Sequence, residues 1–201
     1  EHVLNLTSED DSASELEPAT LGTLIHNVLR DFGQSDLRAS ENMEDIAGFL
    51  LANLDQQVAC RFGDSPRASI VLQRAQLQQR LQQFAVVQAE RVRKGWQIVE
   101  AEKSGQNWEF ETDEGPVSVK GRIDRIDYNP NLKQLAVLDY KTGGTAKKPE
   151  TAHQQSGEWI DLQLPLYRHL IPRSVLDEFS IDSIELGFIQ LPKKIEEIRF
   201  T

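Results

Sequence analysis

The period of the apolar positions divides the chain into a helical half and a strand-forming half. From Thr20 onward, Leu21, Leu24, Ile25, Val28, Leu29 and Phe32 recur at helical spacing, and Gly33 supplies a stop. A second helical run begins near Met43 and carries Ile46, Leu50, Leu54 and Val58. The third, over 70–92, has Leu77, Leu81, Phe84 and Ala85 as its stripe, and its Gln- and Arg-rich outer face reads as solvated. After Gly95 the period falls to two. Segments 96–102, 108–111, 117–127 and 134–141 predict four strands in a largely antiparallel meander, the last two joined through Tyr128 to Lys133. A polar loop over 142–158 leads into a predicted helix over 161–170 that Pro172 ends. Segments 183–191 and 195–200 predict two further strands. Residues 8–17 are acidic and small with no apolar period, so 1–19 is expected to be a flexible arm or linker.

With 201 residues, 39% of them hydrophobic, the chain can bury one sizeable core. A single α/β domain over 20–201 is expected, its helical part at 20–94 and its sheet core at 95–201. Glu1 is not an initiator methionine and the chain ends inside a strand pattern, so a piece excised from a longer protein is expected. No stretch reaches the roughly 20 apolar residues of a membrane span, and the N-terminus is acidic where a signal peptide is basic; a cytoplasmic protein without membrane contact is expected. Cys60, the sole cysteine, excludes an internal disulfide or a multi-cysteine metal site and reads as a buried apolar residue. The formal net charge of −10 is wrong for a stand-alone nucleic-acid binder. If the substrate is DNA or RNA, metal ions or a partner must overcome that repulsion.

The chemistry-bearing residues cluster around Gly121-Arg122-Ile123-Asp124 and Asp139-Tyr140-Lys141. Side chains alternate along a strand, so Asp139 and Lys141 share one face about 7 Å apart, with Leu135 and Val137 behind them. Pairing of 117–127 with 134–141 as a hairpin puts Asp124 opposite or diagonal to Asp139, close enough to share a cation. Two converging carboxylates repel unless a metal neutralises them, and two carboxylates with a lysine are the minimum equipment for metal-assisted phosphodiester cleavage. A solvated ion-pair ladder on an edge strand is the plain alternative. Gly22 and His26 are one helical turn apart, which bares the surface beside the imidazole. That ring suits a mixed N/O shell with the two aspartates, or equally a hydrogen-bonded core histidine. On the helix over 161–170, Gln163 and Tyr167 stand at i, i+4 and offer an amide and a phenol on one face; an ordinary amphipathic helix has the same pattern.

Four motifs in order carry a resemblance: Gly22-x-x-x-His26, Gly121-Arg122-Ile123-Asp124, Leu138-Asp139-Tyr140-Lys141-Thr142-Gly143 and Gln163-Leu164-Pro165-Leu166-Tyr167. Their order and spacing, over about Leu21 to Tyr167, resemble the RecB/AddB-type nucleases of the PD-(D/E)xK superfamily. The resemblance implies a restriction-endonuclease-like core, a central mixed β-sheet flanked by helices, with an N-terminal helical subregion. It further implies that His26, Asp124, Asp139 and the Tyr140 carbonyl hold Mg²⁺ or Mn²⁺, and that Lys141 orients or deprotonates the attacking water or stabilises the pentacovalent phosphate. Gln163 and Tyr167 correspond to the Q-x-x-x-Y motif beside the site, and Glu100 resembles a further acidic position that is less fixed. The implied activity is a divalent-metal-dependent DNA nuclease, an exonuclease in double-strand break processing fed by a helicase or helicase-like partner. A relative that kept the fold as a scaffold or strand guide without turnover is the alternative. Members resembling AddB also carry an iron–sulfur cluster bound by several cysteines. With Cys60 alone these residues cannot hold one, which leaves the cluster undecided for the full-length protein.

Overall fold

The computed structural model describes residues 18–63, 66–105, 107–143, 154–155, 158–159 and 161–201. The expected arm lies outside the described residues apart from Pro18 and Ala19, as does most of the polar loop over 142–158.

Among the described residues three helices come first. The helix α1 (Pro18–Gly33) buries Leu24, Ile25, Val28, Leu29 and Phe32, the stripe its sequence shows. The second, α2 (Met43–Phe62), opens on Asn42, whose side chain accepts the Glu44 N–H at 2.9 Å and satisfies one of the unpaired amides of the first turn. Its buried stripe is Ile46, Leu50, Leu54 and Val58. Cys60 falls off that stripe and is exposed, which corrects the expectation of a buried thiol. The third, α3 (Ala68–Arg93), buries Leu77, Leu81, Phe84, Ala85 and Ala89, and also Gln73, Arg80 and Gln88. The polar surface of α3 is thus not all solvated, because the sheet and α2 enclose more of its circumference than one apolar stripe.

Strand β1 (Gln97–Ser104) is followed by β2 (Trp108–Thr112), β3 (Gly115–Val119), β4 (Arg122–Asn129) and β5 (Gln134–Lys141). Two short strands, β6 (Gln154–Gln155) and β7 (Glu158–Trp159), precede α4 (Gln163–Leu170) and α5 (Arg173–Glu178); β8 (Ser183–Gln190) and β9 (Arg199–Phe200) finish the chain. The main sheet has five strands in the order β1-β4-β5-β8-β9, with β5 and β8 parallel and its other neighbours antiparallel. The expected four-strand meander is therefore corrected: β2 and β3 form a separate hairpin, and β1 pairs with β4. The single strand expected over 117–127 breaks between β3 and β4, where a Cβ on Gly121 would lie 2.7 Å from Leu170 Cδ1 of α4. A side chain there would have to displace the end of Leu170, so the backbone of the hairpin base lies close against α4. The strand expected over 195–200 is reduced to β9, because a 3-10 turn takes Ile195–Glu197.

One core lies between α1, α2, α3 and one face of the sheet and includes Phe32, Leu54, Phe84, Leu138, Tyr140 and Ile189. The other lies under α4 and α5 on the opposite face and includes Ile126, Val137, Leu164, Tyr167 and Phe188. Covering both faces explains why every residue of Leu135–Tyr140 is buried and why β5 reads as a nearly continuous apolar run. Each fully buried Leu, Ile or Phe contributes roughly 1.5–3 kcal/mol, so the two layers fix β4 and β5 firmly. The polar groups at their ends inherit that rigidity. Among the described residues no helix is long and apolar enough to cross a membrane.

Candidate metal and nuclease site

The β4–β5 ladder registers Arg125 against Leu138 as its last pair, and one step further Asp124 meets Asp139. There the Asp124 carboxylate replaces the ladder: its Oδ2 accepts the Tyr140 N–H at 2.9 Å. Alternation turns Asp124, Asp139 and Lys141 to the α4 side of the sheet. Lys141 Nζ lies 2.7 Å from Asp139 Oδ2 and donates to Gln163 Oε1 at 2.9 Å. Gln163 Nε2 donates to the Tyr167 hydroxyl at 2.7 Å, which in turn donates to Asp139 Oδ1 at 3.2 Å. The i, i+4 pair of α4 thereby closes a ring of contacts through Lys141 and Asp139. The surface ion-pair ladder is excluded, since Asp124 and Asp139 are both buried.

From the helical layer, α1 presents His26, with Nδ1 3.6 Å from both Asp124 Oδ2 and Glu102 Oε1 and its ring edge-on to Tyr140 at 5.5 Å between centroids. The bare surface expected at Gly22 is occupied, since a Cβ there would touch Thr142 Oγ1 at 3.4 Å. Glu100, the further acidic candidate, pairs with Lys103 at 2.9 Å. The acid beside His26 is instead Glu102, which falls opposite Asp124 between the pairs Ala101↔Arg125 and Lys103↔Ile123. Its φ of 54° is left-handed, an unusual conformation for a non-glycine residue, and Arg122 Nε holds its other oxygen at 2.5 Å. Neither motif spacing nor strand period distinguishes Glu102 from Glu100. A register shift between Ile98 and Glu100 and the turned backbone at Glu102 decide which acid faces the histidine.

Crowding of acids in a dry place shows in the protonation equilibria. Burial, followed by the charge of Asp139, pushes the Asp124 carboxyl up to about 6, against the Tyr140 N–H and His26, which favour its ionised form. Burial opposes a charge on His26, yet Glu102, Asp124 and Asp139 together outweigh it and raise its pKa. The Tyr167 hydroxyl is raised by burial and then by Asp124 and Asp139, so it remains a donor.

A divalent ion fits these donors. One nitrogen or oxygen each from His26, Glu102 and Asp124 lie within 4.8 Å of one another, and a borderline cation accepts such a mixed set. Asp139 adjoins this trio with its oxygens turned toward Tyr167 and Lys141. Its Oδ2 is sealed from solvent and, although close to Lys141 Nζ, has no directed hydrogen bond, so it retains lone-pair capacity for a cation.

The family model of the PD-(D/E)XK nuclease superfamily matches residues 1–199, and the chain belongs to that superfamily. Its class is therefore that of the nucleases, hydrolases of phosphodiester bonds whose members use divalent metals. No curated protein sequence matches the chain significantly.

Proposed function

We propose that residues 20–201 form one nuclease domain of RecB/AddB type that hydrolyses DNA with Mg²⁺ or Mn²⁺, as an exonuclease in double-strand break processing beside a helicase-like partner. The observation that carries the reading is convergence. Groups far apart in sequence meet here: His26 of α1 lies 3.6 Å from Asp124 of β4, Asp124 accepts the Tyr140 N–H between Asp139 and Lys141 of β5 at 2.9 Å, and Asp139, Lys141, Gln163 and Tyr167 are joined by contacts of 2.7–3.2 Å.

In this reading His26, Asp124, Asp139 and the Tyr140 carbonyl hold the cation, with Glu102 adjoining them. When bound, a divalent ion supplies Lewis acidity, offsetting the charge of the scissile phosphate and lowering the pKa of water. Asp124 must lose its proton to take part, and its elevated pKa means that cation and proton compete for it. Lys141 places an ammonium beside the acids, where it orients the incoming water or stabilises charge gathering on the phosphoryl oxygens. Gln163 holds that ammonium from the far side, and Tyr167 fixes the rotamer of Asp139. A net charge of −10 makes unaided DNA capture poor, which favours delivery of the strand by another module.

Single replacement of Asp124, Asp139 or Lys141 by Ala, assayed on labelled single- and double-stranded DNA with Mg²⁺ or Mn²⁺, is expected to lower cleavage by about 100-fold or more. Undiminished cutting by all three variants defeats the reading.

A further inference from the structure

Arg80, on α3, is only 6% exposed, and its environment differs from that of every other buried arginine described. Its Nη1 donates to the Thr142 carbonyl at 3.4 Å and to the Leu191 carbonyl at 3.3 Å. Both are long for a guanidinium, whose bonds to anionic oxygens run about 2.7–2.9 Å. Among the described residues no carboxylate pairs with it, its Nε and Nη2 find no acceptor, and burial alone shifts its pKa, downward. Arg125 and Arg91 are also buried or nearly so, yet both grip Asp127 at 2.6 Å. An enclosed cation without a counter-ion is costly.

Its location indicates which anion would relieve that cost. Thr142 directly follows Lys141, and the Leu191 N–H donates to the Lys141 carbonyl at 2.8 Å. Arg80 therefore sits at the carboxyl ends of the parallel pair β5 and β8, on the rim that carries Lys141. Exposed Lys193 and Lys194 follow Leu191 on the same rim, Lys194 in an ion pair with Glu197 at 3.4 Å, which leaves Lys193 to extend the cationic surface on a chain of net charge −10. The carboxyl ends of parallel strands are where open α/β sheets take their ligands.

We propose that Arg80 binds a backbone phosphate of the nucleic-acid strand flanking the reacting one, with Lys193 continuing the strand's path; this rests on the nuclease reading above. Clamping of the two strand ends by Arg80 is the competing role. It predicts lost stability without any change in how binding depends on salt.

The test is fluorescence anisotropy of a labelled single-stranded oligodeoxynucleotide across a salt series, with Ca²⁺ as the divalent ion, for the whole chain, Arg80→Met and Arg80→Lys. Thermal melting and Mn²⁺ calorimetry are run on all three. Arg80→Met is expected to bind about 5- to 10-fold more weakly, with a salt slope shallower by about 0.7, the value of one single-strand phosphate contact. Arg80→Lys is expected to recover most of that slope, and Mn²⁺ binding is expected to match the unsubstituted protein in both. A single neutral methylphosphonate linkage, walked along the strand, should reproduce the loss at one position and cost Arg80→Met nothing further there. That arm needs only the unsubstituted protein to locate the contact, so it survives poor folding of a variant. Unchanged affinity and slope in Arg80→Met, or a scan in which no linkage matters, overturns the phosphate contact while cleavage by the unsubstituted protein leaves the nuclease reading standing. Failure of the unsubstituted protein both to bind and to cut overturns the two together.

Discussion

Strand β4 carries two buried charge clusters back to back, and they resolve the same electrostatic problem in opposite ways. On the helical side Asp127 is shared by two arginines: Arg125 reaches both its oxygens, at 2.6 and 2.9 Å, and Arg91 joins at 2.6 Å. The surplus positive charge faces aromatic rings, since the Arg91 guanidinium lies 4.2 Å from the centroids of both Trp96 and Phe200. At the other cluster Asp124, Asp139 and the adjoining Glu102 outnumber Lys141 and Arg122, and burial followed by the charge of Asp139 drives Asp124 up to about 6. In the first cluster both carboxylate oxygens are paired with guanidinium groups, and the atom left buried without a partner is a donor, Arg125 Nη1. The second is short of positive charge, the condition expected of a place that receives a cation.

Removing one carboxylate from each cluster should therefore have opposite consequences. Asp127→Ala strands two buried guanidinium groups and is expected to cost about 3–5 kcal/mol, read as a large fall in melting temperature. Asp124→Asn relieves repulsion and should leave the metal-free melting temperature unchanged or higher, while ending divalent-ion binding. Comparable destabilisation by both changes would erase the distinction.

A finer comparison lies within β1. Glu102→Gln is expected to weaken Mn²⁺ binding by about tenfold, as losses of groups supporting a metal site do, whereas Glu100→Gln, which disturbs only the half-exposed Lys103 pair, should leave it unchanged. Calorimetry on the two variants checks this, and equal losses would make the position of Glu102 irrelevant.

The mildest effect is on pH dependence. The folded pKa of Asp124, about 6, exceeds its ordinary 3.8, so the folded state keeps a proton that the unfolded chain releases. Metal-free stability should then decline as pH rises from about 4 through about 6. His26, raised above 6.5, acts in the same direction beyond that window. Added Mn²⁺ should reverse the trend, stabilising more at higher pH. Metal-free melting temperatures that climb across this range would contradict the electrostatic contrast between the two sides of β4.

Legibility in the sequence followed the physics of each element. The stripes Leu24–Phe32, Ile46–Val58 and Leu77–Ala85 mark α1, α2 and α3 to within a turn, because one buried face imposes a period that nothing else mimics. The proximity of Asp124 to Asp139 and of Gln163 to Tyr167 followed from strand alternation and helical spacing, which are local rules. The parallel pairing of β5 with β8 was invisible, since both faces of β5 are buried and its period is lost. So was the division of 117–127, which depends on Leu170 of a distant helix reaching Gly121. Glu102 was missed for a related reason, as its approach to His26 depends on a backbone turn at a residue type that does not announce one. Arg80 belongs to a polar run that reads as solvent-facing, and only the assembled sheet ends enclose it.

The most direct measurement is anomalous scattering from crystals of the protein soaked in Mn²⁺. A single strong peak is predicted within about 2.0–2.3 Å of carboxylate oxygens of Asp124 and Asp139 and a ring nitrogen of His26. A soaked crystal with these side chains ordered and no peak among them, or with its peak elsewhere on the surface, would contradict the assignment of a divalent-metal nuclease centre.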